Sequence, residues 1–177
     1  MTASMELKGF PSLKPAFVVK AKIGNVSPIG TIHTGQSAIH FEVAHGTIES
    51  VPGFAPAFNG ILTFGADWFT MDHDRQHARV DIRLIAKTEK GHTLDIRSGG
   101  VMEMSRSVEK IFLLDPDAKT TRFGFSTSWV TLNVSDRSLK ALENGTFVGN
   151  SRMIVDQSRG VTVEARYSLV VPSTSEE

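Results

Sequence analysis

There is no cysteine anywhere in the 177-residue chain. That excludes a disulfide scaffold, a thiol nucleophile and a zinc–thiolate centre. There is no excess of either charge, since 19 Lys and Arg balance 19 Asp and Glu. A balanced chain casts no long-range field on polyanions, which argues against a nucleic-acid partner. No apolar run is long enough to span a bilayer. The opening MTASMELKGFPSLKP lacks the apolar core of an export signal. The expectation is therefore a cytoplasmic protein without a membrane partner, and the sequons at Asn25, Asn133 and Asn144 read as chance occurrences. No glycine-rich phosphate loop joins a strand to a helix, and no Gly-x-Ser-x-Gly elbow surrounds Ser126, Ser128 or Ser151. His73 and His77 have a helical chelating interval, but Met71–His77 reads as a hairpin turn, which spoils that geometry. The scattered His33, His40, His45 and His92 form no triad spacing. No cofactor and no metal are expected.

What is present is an ordinary globular composition, with 40% apolar and 21% charged residues. The length fits one domain. Residues 1–14 read as a loose arm, 15–171 as the domain and 172–177 as a disordered polar tail. Strand periodicity dominates between them. Phe17, Val19, Ala21 and Ile23 alternate with Val18, Lys20 and Lys22, and Ile39, Phe41 and Val43 alternate with His40, Glu42 and Ala44. Further strands are expected at 61–64, 78–87, 92–97, 120–132, 146–155 and 161–171. Two short helices are expected, one around Val108, Ile111 and Phe112, the other over 135–144 with Ser135 as N-cap and Gly145 as C-cap. Many short strands with regular turn signals predict an all-β barrel or sandwich.

The clearest pair is 78–87 with 92–97. A three-residue loop, Thr88-Glu89-Lys90, followed by a left-handed Gly91, sets Leu84 opposite Leu94 and Ile82 opposite Ile96. It also sets Arg83 opposite Asp95 and Asp81 opposite Arg97. One face is then apolar and the other a ladder of opposite charges.

Gly65-Ala66-Asp67-Trp68, Asp81-Ile82-Arg83, Gly91 and Arg97-Ser98-Gly99-Gly100 follow one another in an order that resembles the domain-of-unknown-function 3237 family. Leu13-Lys14-Pro15-Ala16-Phe17, Gly46-Thr47 and Phe147-Val148-Gly149 extend the resemblance over about residues 13–171. It implies a single antiparallel β-barrel with an internal cavity. For some members it implies cyclisation in fungal aromatic-polyketide pathways, in which a phenol oxygen adds across the alkene of a prenyl-type substituent. The chain departs from the family pattern at Ala141-Leu142-Glu143, at Leu84 in place of a Tyr and at Leu132 in place of a Glu, which makes the expected pocket more apolar.

Two constellations stand out as a candidate site. Asp67 beside Trp68 could be a desolvated general acid with an indole to steady a cation; the alternative is a turn Asp next to a core Trp. Asp81, Arg83, Asp95 and Arg97 read either as a polar wall inside the cavity or as a solvent-facing ladder. An odd number of residues in the 72–76 turn would put Asp67 on their face. Phe123, Phe125 and Trp129 share strand parity and read as core or cavity wall. With the activity that the resemblance implies, Asp67 would protonate the alkene, and Trp68, Trp129 and the Phe residues would shelter the cation. Arg83 and Arg97 would ease phenolate character, held by Asp81 and Asp95. The expected function is a cofactor-independent acid/base cyclase acting on a small aromatic substrate, the protein pairing at most with a second copy of itself. The alternative is a carrier of a small hydrophobic metabolite. The charged ladder separates them, since a pure carrier has little reason to bury four paired charges.

Overall fold

A computed structural model describes residues 8–174. Eight antiparallel strands follow in order: β1 (Ser12–Thr31), β2 (Ser37–Ser50), β3 (Asn59–Met71), β4 (His77–Lys87), β5 (Thr93–Glu103), β6 (Ser126–Val134), β7 (Phe147–Val155) and β8 (Val161–Val171). Each pairs with its neighbour in sequence, and β8 returns to β1, so the sheet closes as a barrel. Closure removes both sheet edges. Helix α1 (Arg106–Phe112) follows β5, and a 3-10 helix (Arg137–Asn144) follows β6. The expected fold, an antiparallel barrel with two short helices, is the observed one.

The alternation of period two decides what lies inside. The interior divides into two regions. Phe17, Ile48, Phe58, Leu94, Leu132 and Phe147 pack solidly at one end, with Leu139 and Leu142 of the 3-10 helix among them. Each such fully buried side chain contributes about 1.5–3 kcal/mol. At the other end Phe69, Ala78, Met102 and Met153 pack against Val108 and Ile111 of α1, and there the filling is incomplete.

Several boundaries differ from expectation. β1 begins inside the segment read as an arm, because Ser12, Leu13 and Lys14 already pair with Val171, Val170 and Leu169; residues 1–7 and 175–177 lie outside the described residues. Residues 120–125 are not strand, and β6 starts only at Ser126. Asp136, not Ser135, caps the 3-10 helix by accepting the Ser138 N–H, while the Ser135 hydroxyl accepts the Thr93 N–H. Gly145 is extended (φ −84°) rather than left-handed. It is glycine because a Cβ there would stand 2.5 Å from the Phe147 ring.

The β4–β5 hairpin has the expected faces in a different register. Leu84 pairs with Ile96, Ala86 with Leu94, and Arg83 with Arg97. Gly91, at φ 81°, lies inside the loop rather than after it, since the Thr88 N–H donates to His92 O and the Gly91 N–H to Thr88 O. The pairing is shifted by two residues. A two-residue slip keeps every side chain on its face. The ion pairs then run along each strand, Asp81–Arg83 and Asp95–Arg97, both at 3.6 Å.

Candidate active site: a half-hollow barrel

The incompletely filled end holds a cavity of about 350 Å³. Its floor is the top of the solid core, including Leu84 and Ile96. Its wall carries an aromatic trio, in which the Phe112 ring stands 5.5 Å from Phe41 and 5.2 Å from Phe69. Leu84 lines it and adds to its apolar surface. Val26, Pro28 and Leu114 line the cavity and are also exposed, so they mark its opening.

Asp67 borders this space, and a local irregularity places it there. Leu62 pairs with Ala86 but Phe64 pairs with Ile85, so β3 carries a bulge at Thr63. The bulge switches the inward positions from even to odd. Gly65, Asp67 and Phe69 therefore face in, while Phe64 and Trp68 face water. The backbone N–H of Asp81 donates to Asp67 Oδ1 at 3.1 Å. Burial pushes the Asp67 carboxyl up to about 7; the Asp81 N–H opposes that shift and the nearby Asp81 carboxylate adds to it. No cation is among the groups acting on it.

Polar partners sit deeper in the wall. The Ser98 hydroxyl donates to Trp129 O at 2.7 Å and lies 3.0 Å from the Tyr167 hydroxyl. With its only proton committed, Ser98 Oγ accepts from Tyr167. Burial raises the phenol's pKa; its hydrogen bonds with Ser98 and Ser128 oppose that, and the Asp67 charge adds to it. Ser126 and Ser151 form a second pair at 2.7 Å. Residue spacing did not single out Tyr167, Ser98 or the aromatic trio. The signal for Tyr167 was its place in the inward series Val161, Val163, Ala165, Tyr167.

The other expected site residues are not in the cavity. Trp68 is 41% exposed and stands outside, because neighbours on a strand face opposite ways. The barrel interior, not the indole, desolvates Asp67. The 72–76 turn encloses four unpaired residues, 73–76, because the Asp72 N–H bonds His77 O. With that even count Asp67 pairs with Ile82, and Asp81 and Arg83 fall on the opposite, outer face. Arg83 lies over the outer face of Trp68 at 5.4 Å. Asp95 and Arg97 complete a ladder exposed to water, with Asn133 donating to Asp95. Phe123, Phe125 and Trp129 do not share a face. Phe125 is buried against the α1 end, because it precedes the strand. Phe123 is sandwiched outside by Arg152 and Arg166 at 5.1 and 4.8 Å. Trp129 is 52% exposed. It borders an open outer groove of about 780 Å³ with Arg79 and Arg166.

Among the described residues no three His, Asp or Glu side chains converge as a metal site. His77 bonds Asp74 at 2.6 Å and His73 meets Thr34 O at 3.1 Å, so the two rings have separate partners in the turn. No described helix is long and apolar enough to cross a membrane.

The family model described as a protein of unknown function (DUF3237) matches residues 11–170. The chain belongs to the DUF3237 family. No curated protein matches its sequence. Solved structures with the fold of this chain include a conserved protein of unknown function from Rhodopseudomonas palustris. It is 14% identical with a TM-score of 0.73, covering 91% of this chain and 98% of the other. A beta-barrel like protein from Acinetobacter baumannii is 17% identical, with a TM-score of 0.67 and coverage of 93% and 99%. A structure described as an enzyme from Penicillium herquei is 14% identical, with a TM-score of 0.59 and coverage of 94% and 98%. At these identities the likeness shows the shared barrel.

Proposed function

We propose that this DUF3237 barrel is an acid/base catalyst that isomerises a small aromatic substrate by closing an oxygen heterocycle. The observation that carries the reading is Asp67, a carboxyl with no cationic partner among the described residues, facing an apolar cavity. A carrier of apolar ligands gains nothing from that group, whereas a general acid needs it protonated near neutral pH.

In the proposed step Asp67 gives its proton to one alkene carbon of a prenyl-type substituent. The phenol oxygen bonds the other carbon, and the phenol proton returns to the Asp67 carboxylate. Every atom is retained, and no oxidant or metal takes part. The rings of Phe41, Phe69 and Phe112, which line the cavity, shelter the developing cation, in place of Trp68 and Trp129. Tyr167, whose own proton goes to Ser98, accepts from the substrate phenol O–H and so orients the attacking oxygen, in place of Arg83 and Arg97. Positioned proton transfer supplies about 10²–10⁴-fold. The Penicillium herquei neighbour, described as an enzyme, agrees with a catalytic role for the fold.

A carrier role is the second reading. It draws support from the charged ladder standing in water, which removes one argument for catalysis, and from the apolar lining. The two part in an assay of ortho-prenylated phenols in D₂O. A catalyst yields a cyclic ether carrying one deuterium on carbon per turnover. Unchanged phenol recovered from saturated protein would favour the carrier.

A further inference from the structure

Helix α1 ends in a Schellman motif. The Leu114 N–H bonds Ile111 O at 3.1 Å and the Asp115 N–H bonds Lys110 O at 2.9 Å. In that motif the position held by Leu114 is left-handed and normally glycine. Here it is a leucine at φ 53°. A branched side chain in this region is strained. It is also 78% exposed, so core packing does not compensate.

The strain is held from both sides. The Lys110 ammonium lies 3.6 Å from the Asp115 carboxylate. Arg159, from the β7–β8 turn, donates to Asp115 O at 2.6 Å. That turn is anchored in turn to β1 through the Lys22–Asp156 ion pair. Strained residues held in place by their surroundings cluster at functional positions. The cavity supplies a second observation, because Leu114 lines its opening together with exposed Val26 and Pro28.

We infer that Leu114 is a ligand-contacting residue that closes over the occupant of the barrel and selects ligands whose portion nearest the opening is apolar. The inference rests on the reading that the cavity binds a small apolar molecule. Without a ligand, Leu114 carries a backbone cost that no packing of its side chain offsets. With a ligand bound, the isobutyl group loses its contact with water and the opening narrows.

The test uses the whole protein and a neutral fluorescent probe, N-phenyl-1-naphthylamine, beside thermal melts. Leu114→Gly and Leu114→Asn both suit a left-handed backbone. Each is expected to raise Tm by about 2–4 °C and to weaken probe binding about tenfold, by loss of a buried leucine contact. Leu114→Met keeps an apolar side chain and is expected to bind as the wild type does. Stability and affinity thus move in opposite directions, which a merely structural residue would not produce. Undiminished binding by the Gly and Asn variants would overturn the inference while leaving the cavity reading intact. A lower Tm in both would overturn it as well, by showing that Leu114 serves the fold. Failure of the wild-type protein to bind the probe at all would remove the cavity reading, and this inference with it.

Discussion

Asp67 Oδ1 accepts the backbone N–H of Asp81 at 3.1 Å, at a gap in the β3–β4 ladder between the pairs Asp67–Ile82 and Thr70–Arg79. The carboxyl thus fills a place that a backbone carbonyl would otherwise take. This bond fixes the side chain without overcoming the effect of burial, and the carboxyl titrates at about 7.

Two consequences follow for pH dependence. Turnover that uses the protonated acid should be flat below about pH 7 and fall tenfold per unit above it. The folded protein also holds this proton where the unfolded chain, with an ordinary value of 3.8, has lost it. This group's contribution to stability is therefore greatest at low pH, declines from about pH 4 to 7, and is constant above. Asp67→Asn removes that decline. Urea melts at pH 8 should show the variant more stable than wild type, by up to ~4 kcal/mol, and the advantage should shrink toward pH 4. A variant less stable at pH 8 would contradict the burial argument.

The fold was legible because it depends on period and punctuation. The inward series of β1, β2 and β8 are alternations that a reader can count, and Gly91 marks the hairpin. The position of Asp67 inside the barrel was not legible. It depends on a one-residue bulge at Thr63 and on an even turn after Asp72, and neither leaves a mark in residue type. The same parity puts Trp68 outside, so the adjacency that suggested a desolvating indole in fact separates the two side chains. Tyr167 and Ser98 meet from β8 and β5, far apart in sequence, and only closure of the barrel joins them.

Arg83→Met and Arg97→Met should each change stability by no more than about 0.5 kcal/mol and leave turnover unchanged. Their side chains are more than half exposed and their ion pairs measure 3.6 Å. Parallel melts and rates check this. A large loss of turnover in either variant, with the fold intact, would show that the outer ladder acts on the cavity.

Glu164 is a buried carboxyl that contributes to the acid limit. It is 3% exposed, and the guanidinium groups of Arg152 and Arg166 approach its carboxylate at 2.7 and 2.8 Å. Burial alone would raise its pKa; the two arginines outweigh it and hold the carboxyl below the usual range. The stabilisation is present above the ordinary glutamate pKa and is lost as pH falls through the depressed value. Glu164→Gln should lower stability at pH 7 by about 1–2 kcal/mol, because the two arginines left behind reach water. It should also flatten the acid side of the pH–stability curve, and equal acid sensitivity in the variant would count against this site.

Tyr167→Phe removes a hydroxyl from a pair in which Ser98 keeps its bond to Trp129 O. The expected cost is about 1 kcal/mol in stability and about tenfold in kcat/KM, for one uncharged hydrogen bond accepted from the substrate phenol. Unchanged kinetics would move the oxygen-binding role elsewhere, with Ser126 and Ser151 the next pair to vary.

The most direct measurement is single turnover of a prenylated phenol bound in excess wild-type protein or in excess Asp67→Asn. The amide keeps the shape of the carboxyl and has no acid proton to give. The account predicts that both proteins bind the phenol with similar affinity, and that the wild type converts it to the cyclic ether. The variant should return it unchanged, with a rate at least 10²-fold lower. Conversion by Asp67→Asn at a rate close to wild type would contradict the assignment of Asp67 as the acid.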